Sequence, residues 1–135
     1  MPESSTVLNA KGAIARHIQW RIALQLAIRM RETLSEDQVD EIRHYRRCAI
    51  GRWLESPATI AMRSHPAYLD LVNKHIDFHL EMQHIANLIE QRSFDDAARE
   101  MDQASRFTAS SKALAMSVTA YDRIAPMAIP GARAK

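Results

Sequence analysis

From Pro66 to about Arg92 the chain repeats apolar residues with a helical period and without a break, and this repeat limits the fold more than any other feature. Placing residues about 100° apart around a helix axis brings Tyr68, Leu71, Val72, Phe78, Met82, Ala86 and Ile89 onto one face. Lys74, Asp77, Glu81 and Asn87 turn away from it. Such a stripe must be covered by other helices. His75 and His79 lie in its centre, about one turn apart, so both imidazoles leave the same face. A leucine would pack there at lower cost, because each buried ring nitrogen needs a partner. Backbone carbonyls or serines can supply one, and so can an ion shared by both rings.

The rest of the chain predicts the same kind of structure. Three glycines and 6% aromatic residues are too few for the turns and strands of a sheet protein. A length of 135 residues with 47% hydrophobic side chains suits one domain with a real core. The expectation is an all-α fold, an antiparallel four-helix bundle over residues 1–125, followed by a flexible tail or the start of a linker at 126–135.

The first helix is expected from a cap at Ser4 or Ser5 to about Leu34. One face carries Val7, Ala10, Ile14, Ile18, Trp20, Leu24, Ala27 and Ile28, with His17 inside it. A second stripe of Leu8, Ala15, Ile22, Leu26 and Met30 lies roughly opposite. A helix apolar on two sides needs two partners, which predicts a homodimer packed through helix one. Ser35-Glu36-Asp37 caps a second helix expected to run unbroken to Leu54, with Val39, Ile42, Ala49, Ile50 and Trp53 inward and Cys48 at the edge of that face. Gly51 inside a helix costs about 1 kcal/mol against alanine, so it should serve a close approach by a neighbouring helix. Ser56-Pro57 stops the helix, a short turn is expected at Ile60-Ala61-Met62, and Pro66 restarts the chain with His65 in the cap region. The last helix is expected from Ser93 or Phe94 to about Ile124, with Phe94, Ala97, Ala98, Met101, Ala104, Thr108, Ala115, Val118 and Thr119 inward. Its Ser105, Thr108 and Ser111 are available to hydrogen-bond buried polar groups.

Three helices thus present His17, Cys48 and the His75/His79 pair. Three imidazoles and one thiolate form a tetrahedral set suited to Zn²⁺, and four protein ligands make a closed site of structural or sensory type. His44 precedes Cys48 by four residues and can form an alternative ligand pair with it.

The ordered set His17-x-x-Trp20, Cys48-x-x-Gly51-x-Trp53-Leu54 and His75-x-x-x-His79 resembles the signature of the chemoreceptor zinc-binding (CZB) family of bacterial regulatory domains. The resemblance implies a four-helix bundle, often dimeric, with one zinc per subunit on His17, Cys48, His75 and His79. It also implies attachment to a chemoreceptor or diguanylate cyclase output module, with zinc occupancy or oxidation of the cysteine modulating chemotaxis or cyclic-di-GMP signalling.

Other classes fit less well. A net charge of +2 with interspersed signs does not make a nucleic-acid surface. No stretch approaches 18 uninterrupted apolar residues, and a single cysteine suits a reducing compartment, so a cytoplasmic protein without a membrane partner is expected. His75-Ile76-Asp77-Phe78-His79 lacks the glutamate of the metalloprotease motif, and Glu81-Met82-Gln83-His84 is a single copy of a pattern that di-iron bundles need twice. No enzymatic activity is expected. The expected function is a zinc- or oxidant-responsive regulatory domain, hypochlorous acid being one such oxidant; the alternative is a zinc-stabilised helical scaffold without a sensing role.

Overall fold

The computed structural model describes residues 9–128 except residue 103. Among these the chain forms six α-helices: α1 (Ala10–Met30), α2 (Glu36–Arg43), α3 (Ala49–Leu54), α4 (Pro66–Glu90), α5 (Phe94–Arg99) and α6 (Arg106–Ala128). A 3-10 turn at Pro57–Met62 joins α3 to α4. The described residues contain no strand, as expected of a chain so poor in glycine and aromatic residues.

The caps explain where the helices start. Asn9 accepts from Gly12 N–H at 2.8 Å and opens α1; the expected caps at Ser4 and Ser5 fall outside the described residues. Helix α1 closes at Arg31, in the left-handed region at φ 55°, so it ends short of the expected Leu34. Leu34 instead folds back into the core. Ser35 and Gln38 form a reciprocal capping box at the start of α2. His65 caps α4 through Nδ1, which accepts from Ala67 N–H at 3.0 Å, with Pro66 at the first helical position.

Helix α4 is the hub: it contacts every other helix, and α6 most of all. Tyr68, Leu71, His75, Phe78, His79, Met82, Ala86 and Ile89 are all buried, as the stripe requires, and Val72 is half-buried. A fully buried leucine such as Leu71 contributes roughly 1.5–3 kcal/mol. Ser117 donates to Asp70 Oδ2 at 2.7 Å, and Trp53 meets Tyr121 edge-on at 5.5 Å between ring centroids. Leu24, Trp20, Ala13 and His17 are the inward face of α1, whereas Ile18 is exposed rather than on the inward face.

Two expected continuous helices are broken. The helix expected from Glu36 to Leu54 ends at Arg43; residues 44–47 form a turn, and Cys48 becomes the N-cap of α3. The helix expected from Phe94 to Ile124 ends at Arg99. Asp102 then organises a turn, its side chain accepting from Ala104 N–H at 2.9 Å and its carbonyl accepting from Ser105 and Thr108 hydroxyls. Ser105 accepts from Thr108 N–H at 3.1 Å and restarts the helix. Ala98, Ala104 and Thr119, expected inside, are exposed, and the inward face of α6 is Phe107, Thr108, Ser111, Leu114, Val118 and Tyr121. Helix α6 also continues past Pro126 to Ala128. The remainder of the expected tail, residues 129–135, lies outside the described residues.

Candidate metal centre

Cys48, His75 and His79 converge in the core, with donor atoms all within 4.8 Å of one another and side chains 2%, 1% and 2% exposed. They form a group that can hold a metal ion. Cys48 Sγ lies 3.1 Å from His75 Nε2, and the two imidazoles meet edge-on at 4.6 Å between centroids.

The break between α2 and α3 places the thiol. As the N-cap of α3, Cys48 turns its sulfur back over the first turn, where it accepts from Gly51 N–H at 3.3 Å, and the thiol donates to the Tyr45 carbonyl at 3.3 Å. Gly51 permits the turn itself. A Cβ there would stand 1.9 Å from the Tyr45 oxygen and 2.8 Å from Arg46 Cα. The backbone that approaches Gly51 therefore belongs to the immediately preceding turn, not to a neighbouring helix. The far end of α3 is pinned to α4, because Tyr68 Oη donates to the Leu54 carbonyl at 2.7 Å.

The rings are oriented by their surroundings. His79 Nδ1 lies 2.8 Å from the Ile42 carbonyl at the end of α2, so Nδ1 carries the proton and Nε2 keeps its lone pair. Tyr45 stands edge-on to both His75 and His79, at 6.0 and 6.3 Å between centroids. Burial lowers the pKa of His75 to about 3, with His79 adding to the effect. Burial also lowers that of His79, opposed by the Ile42 carbonyl. Both imidazoles are neutral at physiological pH, the form that binds a metal. Burial pushes the Cys48 thiol up, against the backbone N–H groups of Gly51 and Ile50. Without an ion the sulfur holds its proton; an ion would displace it.

His17 is buried, but its nitrogens are not among the donors that lie within 4.8 Å of one another. Its ring packs edge-on against Phe78 at 4.8 Å, and its Nε2 is hydrogen-bonded to Ser111 Oγ on α6. Its Nδ1 is buried and has no hydrogen-bond partner among the described residues. Burial, with Arg21 adding, lowers its pKa to about 4. The alternative ligand His44 is exposed, and its Nδ1 faces the Asp40 carbonyl at 2.9 Å and carboxylate at 3.1 Å. The turn after Arg43 separates it from Cys48, so the two do not share a helical face.

Ser111 acts as the sequence suggested, against a buried polar ring, whereas Ser105 and Thr108 are consumed by the Asp102 turn. The roles of Tyr45 and of the Ile42 carbonyl carry no sequence signal, because both are contacts made between separate elements.

No family model, curated protein or solved structure matches this chain. Among the described residues no helix is long and apolar enough to cross a membrane.

Proposed function

We propose that the chain is a zinc-binding regulatory domain of the CZB kind, in which Cys48, His75, His79 and His17 hold one Zn²⁺. The observation that carries this reading is the burial of a thiol and two neutral imidazoles, from α3 and α4, with donors inside a 4.8 Å span. A cysteine and histidines without carboxylates are the donors that zinc favours, and bound Zn²⁺ would hold Cys48 as a thiolate. The orphaned Nδ1 of His17 supports it as the fourth ligand. Helices α1, α2 with α3, α4, and α5 with α6 then count as the four legs of an antiparallel bundle.

In this reading the domain is cytoplasmic and homodimeric. Ile18, Ile22, Leu26 and Met30 follow one another at four-residue steps along α1, and Ile22 and Leu26 are 55% and 53% exposed. A second copy would cover them. Loss of zinc, or oxidation of Cys48 by an agent such as hypochlorous acid, would release α3 from α4 and pass through α1 to a chemoreceptor or diguanylate cyclase module. No catalysis is assigned. A Cys–His pair is a starting arrangement for thiol chemistry, but in the metal-free chain Cys48 is a buried thiol with its pKa raised, and the oxidant-sensitive species of this reading is the zinc-bound thiolate.

Elemental analysis of the purified chain is expected to find one zinc per subunit, lost in Cys48→Ala, His75→Ala and His79→Ala. Failure of the metal-free chain to take up zinc would refute the site. The near-complete burial of the three donors also suits a purely structural zinc scaffold. Oxidant treatment that releases zinc and changes the helical circular dichroism favours sensing; an inert zinc form favours the scaffold.

A further inference from the structure

His17 and Ser111 are 94 positions apart in sequence, yet their side chains meet in the core between α1 and α6. Ser111 is buried, and its Oγ also accepts from Arg21 Nη2 at 3.5 Å. That guanidinium stands over the Phe107 ring at 5.6 Å. His17 thus sets Nε2 against a hydroxyl that can donate or accept, and Nδ1 against no polar partner among the described residues.

The two tautomers of His17 are therefore not equivalent. If Ser111 donated to Nε2, the ring proton would sit on Nδ1, a buried N–H with no acceptor among the described residues. If Nε2–H donates to Ser111, Nδ1 is a bare lone pair, and a metal ion is the partner that would satisfy it. The other two rings are set differently. His79 has Nδ1 committed to the Ile42 carbonyl, and His75 turns Nε2 toward Cys48 Sγ.

Resting on the zinc reading above, we infer that His17 joins the site through Nδ1, and that Ser111 is the positioning residue that fixes this choice and ties α6 to the metal. His75 and His79 ligate through Nε2. The histidine of α1 is thereby held from its far side by α6, so the longest link in the ligand set runs between the first and last helices. Removing the Ser111 hydroxyl leaves Nε2–H without its acceptor and frees the ring to invert.

Long-range ¹H–¹⁵N spectra of the zinc-loaded full chain are expected to show His17 with Nε2 protonated and Nδ1 metal-bound, and His79 with the reverse. Competition with a chromophoric chelator should find zinc binding about tenfold to hundredfold weaker in Ser111→Ala, the range for loss of a ligand's outer partner. Ser111→Thr, which restores the hydroxyl, should recover most of it. A metal-bound Nε2 at His17, an unligated His17, or unchanged affinity in Ser111→Ala would each overturn the role of Ser111 while leaving the zinc site standing. Zinc retained at full affinity by Cys48→Ala would instead overturn the site itself, and the role of Ser111 with it. Should Ser111→Ala fail to fold, the wild-type spectrum decides alone.

Discussion

Gly51→Ala separates helix propensity from tertiary constraint, because the two predict opposite signs. Gly51 lies inside α3, where alanine is the better helix former by about 1 kcal/mol, so propensity alone predicts a gain in stability. The added methyl would meet the Tyr45 oxygen at 1.9 Å and the Tyr45 carbonyl carbon at 2.9 Å. An ordinary contact needs roughly 3.5 Å, so the turn preceding Cys48 must retreat by more than about 1 Å. The obstacle is backbone and cannot rotate away. Overpacking against a backbone falls at or above the top of the usual range, about 3 kcal/mol, which outweighs the propensity gain. For a chain of this size that is a fall of about 10 °C in Tm. The displaced turn carries Tyr45 and the N-cap sulfur, so under the proposed zinc reading metal affinity falls as well. Thermal and urea unfolding of the metal-free protein, with zinc competition in parallel, measure both effects. A variant as stable as wild type that binds zinc equally well would refute the account of how Cys48 is placed.

Metal-free protein should lose stability on acidification. His17 and His75 have folded pKa values of about 4 and about 3 against 6.5, so the unfolded chain binds more protons as pH falls through 6.5. Stability present above pH 6.5 is then lost progressively down to about pH 3, at on the order of 1 kcal/mol per pH unit for each histidine once the unfolded chain is protonated. Urea midpoints that stay flat between pH 7 and pH 5 would contradict this. Ser35→Ala removes half of the capping box and should cost about 1 kcal/mol without altering zinc stoichiometry, as denaturant unfolding and elemental analysis would show. Size-exclusion chromatography with light scattering should give a dimer at micromolar concentration and a monomer for Leu26→Glu; a monomeric wild type would remove the assigned role of α1.

Helix α4 was legible because its stripe is continuous and is buried along nearly its whole length, so a 3.6-residue count needs no tertiary information. The same count misplaced Ala98 at the end of α5, Ala104 in the turn that follows Asp102, and Thr119 beside the buried Val118, although Thr108 and Val118 beyond the turn are buried as expected. Asp102 and Ser105 carry capping chemistry, which is the one local sign that the helix restarts there. No comparable polar signal marks the break at His44. Cys48 is an unusual cap, and Gly51 reads as a mild defect unless the carbonyl of Tyr45 is already known to lie against it.

The sequence by itself determined that the chain is helical, that α4 must be covered on one face, and that His75, His79 and His17 sit among apolar residues. These follow from local spacing, which each helix expresses on its own. Only the tertiary structure decided that Cys48 faces His75, that Ile42 holds the proton of His79, that Ser111 holds Nε2 of His17, and that His44 stays in solvent. Those relations join residues 27, 37 and 94 positions apart, and for His79 and His17 the ring nitrogen left free is set by a partner on another helix.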